Sequence, residues 1–175
     1  MNPDDLETVC GHEAAHAVMR WIRGLPATPL TITPEGGFSA GTMKAQRIED
    51  VLLVTLAGFA WESGCLGFSS IDITGIVSPG NDFELAREIL AKCDFLSFRI
   101  NDDGESVSAV PVDDSLSRHF DRACELLNEY RGLVEIMGER LQAAGHLSAR
   151  SVAAIIREWK KRNENGKENE NHVDR

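Results

Sequence analysis

The sequence predicts a mainly helical domain with a small β-hairpin, and three observations predict it. Five stretches read as helices; in the third, Phe83, Ala86, Ile89, Leu90 and Cys93 fall along one side. Only two runs, "PLTIT" and "FSAGTMKA", have strand character, and they flank the turn-forming "PEGG". The chain of 175 residues, 42% hydrophobic and 26% charged, has the composition of a soluble globular protein long enough to bury one real core.

Each element follows from local chemistry. "NPDD" opens the first helix, with Asn2 as cap, Pro3 at the first helical position and two acids at the positive end of the dipole. That helix is expected to run to about Arg23, where Gly24 and Pro26 stop it. Residues from about Arg47 to Leu66 form a largely apolar, buried helix, and "SSIDITGIVSPG" is a turn-rich loop. "NDFELAREILAKCDFL" is helical and "RINDDGESVSAVPVDD" is a loop. A long helix from about Ser115 to Ala144 and a shorter one from about Ser148 to Lys161 complete the domain, 1–161. The remaining polar stretch, 162–175, has almost no apolar side chains and is expected to be a disordered tail.

The net charge of −10 argues against a nucleic-acid partner, because the phosphate backbone selects clustered Lys and Arg. No basic region followed by an apolar run opens the sequence, and its longest apolar stretch, "VLLVTLAGFAW", is too short to span a bilayer. Cys10, Cys65, Cys93 and Cys124 form no C-x-x-C pair and read as reduced, mostly buried thiols. A cytoplasmic location without a membrane span is therefore expected. No G-x-x-x-x-G-K-[ST] occurs, which excludes a P-loop ATPase within these residues.

"GHEAAHAV" carries the chemistry. Residues four apart on a helix lie one above the other, so His12 and His16 can turn nitrogens toward one ion. Leu6, Cys10, Ala14, Ala17 and Trp21 gather on one face, and the two histidines fall nearly opposite. An isolated histidine on an apolar face is usually a core residue satisfied by hydrogen bonds. A pair off the apolar stripe, joined by Glu13 at a general-base position, reads as a metal site. A catalytic zinc site needs a third protein ligand, with the fourth position left for water. Ile22 stands where the H-x-x-G-x-x-H continuation would require histidine. His119, His146 and His172 read as surface, helix-end or tail residues, which leaves Glu62, Asp72 and Asp82 as candidate acids. Asp82, at a loop-to-helix junction, has a rigid base, although a dipole-favouring acid at a helix start has the same appearance.

In order and approximate spacing, "HEAAHAV…LTITPEGGFSAGTM…LAGFAWES…TGIVSPGNDFELARE" resembles the zinc peptidase domain of the FtsH family of AAA proteases. "ACELLNEYRGLVEIMGERLQAAGHLSARSVAAII" is similar to that family's closing helices, so the resemblance covers about Leu6 to Ile156 and is weak from Phe95 to Asp114. It implies an FtsH peptidase-like zincin helical fold and a zinc-dependent metalloendopeptidase, with His12, His16 and Asp82 as zinc ligands and Glu13 as general base. Glu62 would orient a ligand histidine and is the alternative third ligand. Asn81 would cap the third helix and help fix Asp82. The strand around Ser39, Ala40, Gly41, Thr42 and Met43 would pair with an extended polypeptide substrate. A homo-oligomeric ring and an ATPase partner acting in trans follow by the same analogy. The sequence departs from the family at Ala15 for glycine, Phe59 for the arginine of A-G-R, and Ser63 for the second glutamate of A-E-E. The family's W-G and L-G-P segments are not recognisable, and its membrane segments and ATPase module do not occur here. The altered Phe59 and Ser63 leave a second expectation, a non-catalytic zinc-binding adaptor or assembly module.

Overall fold

The computed structural model describes residues 3–33, 36–39, 47–66, 81–94, 99–100, 106–107 and 112–170. Among them it shows a mainly helical chain with a small three-stranded antiparallel sheet. The chain divides into two compact units, Met1–Gly41 with Tyr130–Arg175, and Thr42–Glu129.

The first unit is built around α1 (Pro3–Ile22). Gly24, at φ 70°, ends this helix: its N–H donates to Trp21 O and that of Leu25 donates to Arg20 O at 2.8 Å. A left-handed glycine with these two bonds satisfies carbonyls that a helix end otherwise leaves open. The buried Arg20 donates from Nε to Pro26 O at 3.2 Å, tying the turn back to the helix. β1 (Leu30–Thr33) and β2 (Gly36–Ser39) form the expected hairpin, with Thr33 opposite Gly36. Gly36 sits at φ 148°, where a side chain is strained, so the turn needs glycine there.

α1 packs against α5 (Arg131–Ala144) and against both hairpin strands. Gly145, at φ 66°, closes α5 and its carbonyl accepts from Ile32 N–H. β5 (His146–Leu147) then pairs with β1, giving the strand order β2-β1-β5. Ser148 Oγ accepts from Ser151 N–H and caps α6 (Ala149–Glu170). The α6 backbone stays helical past the stop expected near Lys161. Trp21, Tyr130 and Trp159 form an aromatic cluster with centroids 5.2–6.2 Å apart, and the Lys160 ammonium lies 5.0 Å from the Trp21 ring.

The second unit is built around α2 (Ile48–Leu66), buried without interruption from Leu52 to Ala60 because nearly every side chain there is apolar. α3 (Asn81–Asp94) and α4 (Val112–Glu129) pack against it and against each other. Phe59 anchors this packing, 5.4 Å from Phe83 and 5.5 Å from Phe120. Within the expected loop lies a short pairing of β3 (Arg99–Ile100) with β4 (Ser106–Val107).

The expected single helix from Ser115 to Ala144 is two helices broken at Tyr130, whose φ of −111° and ψ of 21° leave the helical range. Its ring is held against Trp21 and Trp159, and Gly132 follows in the next turn, where glycine favours a new start over continuation. No helix among the described residues is long and apolar enough to cross a membrane.

Candidate metal centre

The centre starts from what α1 encloses. Every residue from Gly11 to Arg20 is buried except His12 and His16, which are half-exposed. The stretch packs closely on α5: a Cβ built on Gly138 would be in ordinary contact with the Gly11 backbone, at 3.5 Å. Helical spacing turns the two imidazoles toward each other at the one accessible part of the stretch. Their Nε2 atoms are 3.0 Å apart and their rings meet at 74°.

Without a metal, an N–H on one ring donates to the bare nitrogen of the other. The same spacing suits a shared ion, since two nitrogens about 2.0–2.1 Å from a tetrahedral zinc lie roughly 3.3 Å apart. The donor chemistry fits too, since neutral imidazole is a common zinc ligand. His12 and His16 therefore meet the geometric demand of a shared cation.

Glu13 points elsewhere. Only 6% exposed, it lies against Gly37 of β2, where an added Cβ would come within 2.5 Å of Oε1 and 2.7 Å of Cδ. Among the described residues β2 pairs only with β1, so its other edge is open in backbone terms. Burial, then the Glu13 charge, pushes the Cys10 thiol up. Burial, then the Asp121 charge, lifts Cys124 to about 11, and its thiol faces Ala60 O at 3.9 Å. Cys10, Cys93 and Cys124 are free thiols; the Cys65 side chain is outside the described residues.

Of the remaining expected site residues, Glu62, Asn81 and Asp82 belong to the second unit. Glu62 is half-buried on α2. Asp82 is half-buried in the first turn of α3, immediately before the anchored Phe83. Asn81 is the first residue of α3, and its side chain is outside the described set. Asp72 lies outside the described residues, as do His172 and the segment Ala40, Gly41, Thr42 and Met43 of the expected substrate strand. Ser39 is the last residue of β2.

Phe59 and Ser63 of α2 are both buried. The other described histidines have partners of their own. His119 Nδ1 lies 2.7 Å from Ser115 O, and His146 Nδ1 lies 2.8 Å from Thr31 Oγ1.

The residue that sequence reasoning missed is Gly37. It sat inside "PEGG", where both glycines read as turn formers, and only the approach of β2 to α1 gives it a second role. No known protein-family model matches the chain, and no curated protein matches it.

Proposed function

We propose that the chain is a zinc-dependent metalloendopeptidase with an FtsH peptidase-like fold, acting on unfolded or flexible polypeptides. The observation that carries this reading is the His12–His16 pair, nitrogens 3.0 Å apart on the only accessible part of an otherwise buried helical stretch, with Glu13 between them in sequence. His12 and His16 would hold the zinc together with Asp82, which a first-turn position on α3 presents on a fixed backbone. Glu62 would orient a ligand through a ring nitrogen, and Asn81 would steady the start of α3.

Bound zinc supplies a Lewis acid that lowers the pKa of water and polarises a carbonyl. Glu13 accepts the proton of the attacking water and delivers it to the leaving amine. The chain from Ser39 to Met43 would hold the substrate in extended form through backbone hydrogen bonds. Backbone pairing reads few side chains, which suits a broad substrate class limited by access. Folded proteins would be poor substrates unless an ATPase in trans delivered them. A homo-oligomeric ring and a cytoplasmic location belong to the same proposal.

One feature of the sequence favours the alternative, a zinc-binding adaptor: Phe59 and Ser63 are uncharged where the resemblance would have an arginine and a glutamate. Metal analysis with an assay on unfolded casein separates the two. The peptidase reading expects about one zinc per chain and hydrolysis that is lost in Glu13→Gln with the metal retained. Zinc bound without hydrolysis of casein, short peptides or ATPase-delivered chains selects the adaptor.

A further inference from the structure

Gly36 and Gly37 are neighbours in β2, yet they need to be glycine for different reasons. Gly36 has a backbone conformation that side chains rarely adopt, and nothing within 4 Å would meet a Cβ there. Gly37 has no such backbone constraint, and its missing Cβ would overlap Glu13 at Cγ, Oε1 and Cδ together. The space that a methyl group would fill at position 37 is occupied by the carboxylate of the buried Glu13.

From this juxtaposition, and resting on the peptidase reading above, we infer that Gly37 is a positioning residue for the general base. β2 carries a gap one side chain wide, and the gap fixes where the Glu13 carboxylate sits. The atoms a methyl would meet belong to the far part of a flexible side chain, while β2 is paired along its length with β1. When the gap is filled, the carboxylate is therefore the part that moves. His12 and His16 meet each other through their Nε2 atoms, so metal binding is not expected to follow this displacement.

The placement has a further consequence for the substrate. The residue that locates the base lies on the strand that leads into Ser39, so the surface proposed to align an extended chain also aligns the group that acts on it. Any shift of β2 along or away from α1 would carry both together. Such coupling keeps base and scissile bond in register, and a displacement of about 1 Å can cost about 10²-fold in rate.

The test is Gly37→Ala, with Gly64→Ala as control because nothing lies within 4 Å of a Cβ at position 64. The expected result for Gly37→Ala is unchanged zinc content, kcat lower by about 10²-fold and KM changed by less than about threefold. A crystal structure of the variant is expected to show β2 in place and the Glu13 carboxylate moved by about 1 Å or more. A carboxylate that stays in place overturns the inference, and so does a moved carboxylate in an enzyme of undiminished turnover.

If the native protein hydrolyses nothing, the peptidase reading fails on its own and the crystal structure alone decides whether Gly37 sets the place of Glu13. If Gly37→Ala does not fold, the double variant with Glu13→Ala decides, because removing that side chain empties the gap. A folded double variant supports the inference; an unfolded one overturns it.

Discussion

Each unit wraps one helix almost completely, but the two wrapped helices differ in kind. From Leu52 to Ala60, α2 is buried and apolar except for Thr55, so its enclosure follows from the hydrophobic effect alone. The Gly11–Arg20 stretch of α1 is enclosed except at its two half-exposed histidines, yet contains Glu13 and Arg20 at 6% and 5% exposure. Burying a charge costs free energy that an apolar residue of similar size would not. Apolar burial accounts for α2; on α1 it leaves two buried polar side chains, Arg20 tied to Pro26 O and Glu13 lying against Gly37, and small residues at Gly11, Ala14, Ala15 and Ala17 let the surroundings close on the helix.

The sharpest way to break this contrast is Glu13→Gln. The substitution is nearly isosteric, so zinc content and melting temperature are expected to hold while casein hydrolysis falls by about 10²–10⁴-fold. Undiminished hydrolysis in the variant would remove Glu13 from the chemistry and leave its burial without a purpose. Next in size is the metal. His12→Ala, His16→Ala and Asp82→Ala are each expected to strip zinc, read by elemental analysis of the purified variants. Zinc that survives Asp82→Ala but falls with Glu62→Gln would exchange the roles of the two acids.

On the α2 side the expectation is inverted. Leu56 is fully buried, so Leu56→Ala is expected to cost about 2–5 kcal/mol, a fall of roughly 5–15 °C in melting temperature. The variant is expected to keep its zinc stoichiometry at temperatures where it is folded. Smaller still is truncation after Lys161. The removed residues carry little apolar surface, and the described bond lost is the exposed one from Asn163 Nδ2 to Trp159 O, so the melting point is expected to stay within about 2 °C. A larger drop would show that this part of α6 packs on something.

The smallest effect is expected from Gly138→Ala. The added Cβ would meet Gly11 at 3.5 Å, an ordinary contact, and alanine gains up to about 1 kcal/mol of helix propensity. Thermal melting should be unchanged or slightly raised. A fall beyond about 5 °C would mean that α5 cannot yield by even a few tenths of an ångström against the helix it helps enclose.

The features that were legible in the sequence have local causes. Pro3 and Gly24 bracket α1, apolar density marks α2, and the hairpin follows from two β-rich runs around a turn. The histidine pair was legible because helical spacing alone turns both rings the same way.

What was missed depends on distant partners. β5 is two residues long and becomes a strand only by pairing with β1, more than a hundred residues earlier. The break at Tyr130 has no proline to announce it and is held by rings from Trp21 and Trp159. Gly37 looked like turn chemistry because nothing in "PEGG" tells which glycine faces α1.

The aromatic cluster at that break has a use of its own. Two of the three tryptophans in the chain, Trp21 and Trp159, and its single tyrosine, Tyr130, sit in the first unit within 5.2–6.2 Å of one another, while Trp61 lies on α2 in the second. Light absorbed by the phenol passes to the indoles at such separations. The protein thus carries an unlabelled optical reporter weighted toward the unit that holds α1. Replacing Trp61 with phenylalanine would confine the indole signal to that unit, so that the unfolding around the helix bearing the histidines is read directly from the colour of the emission.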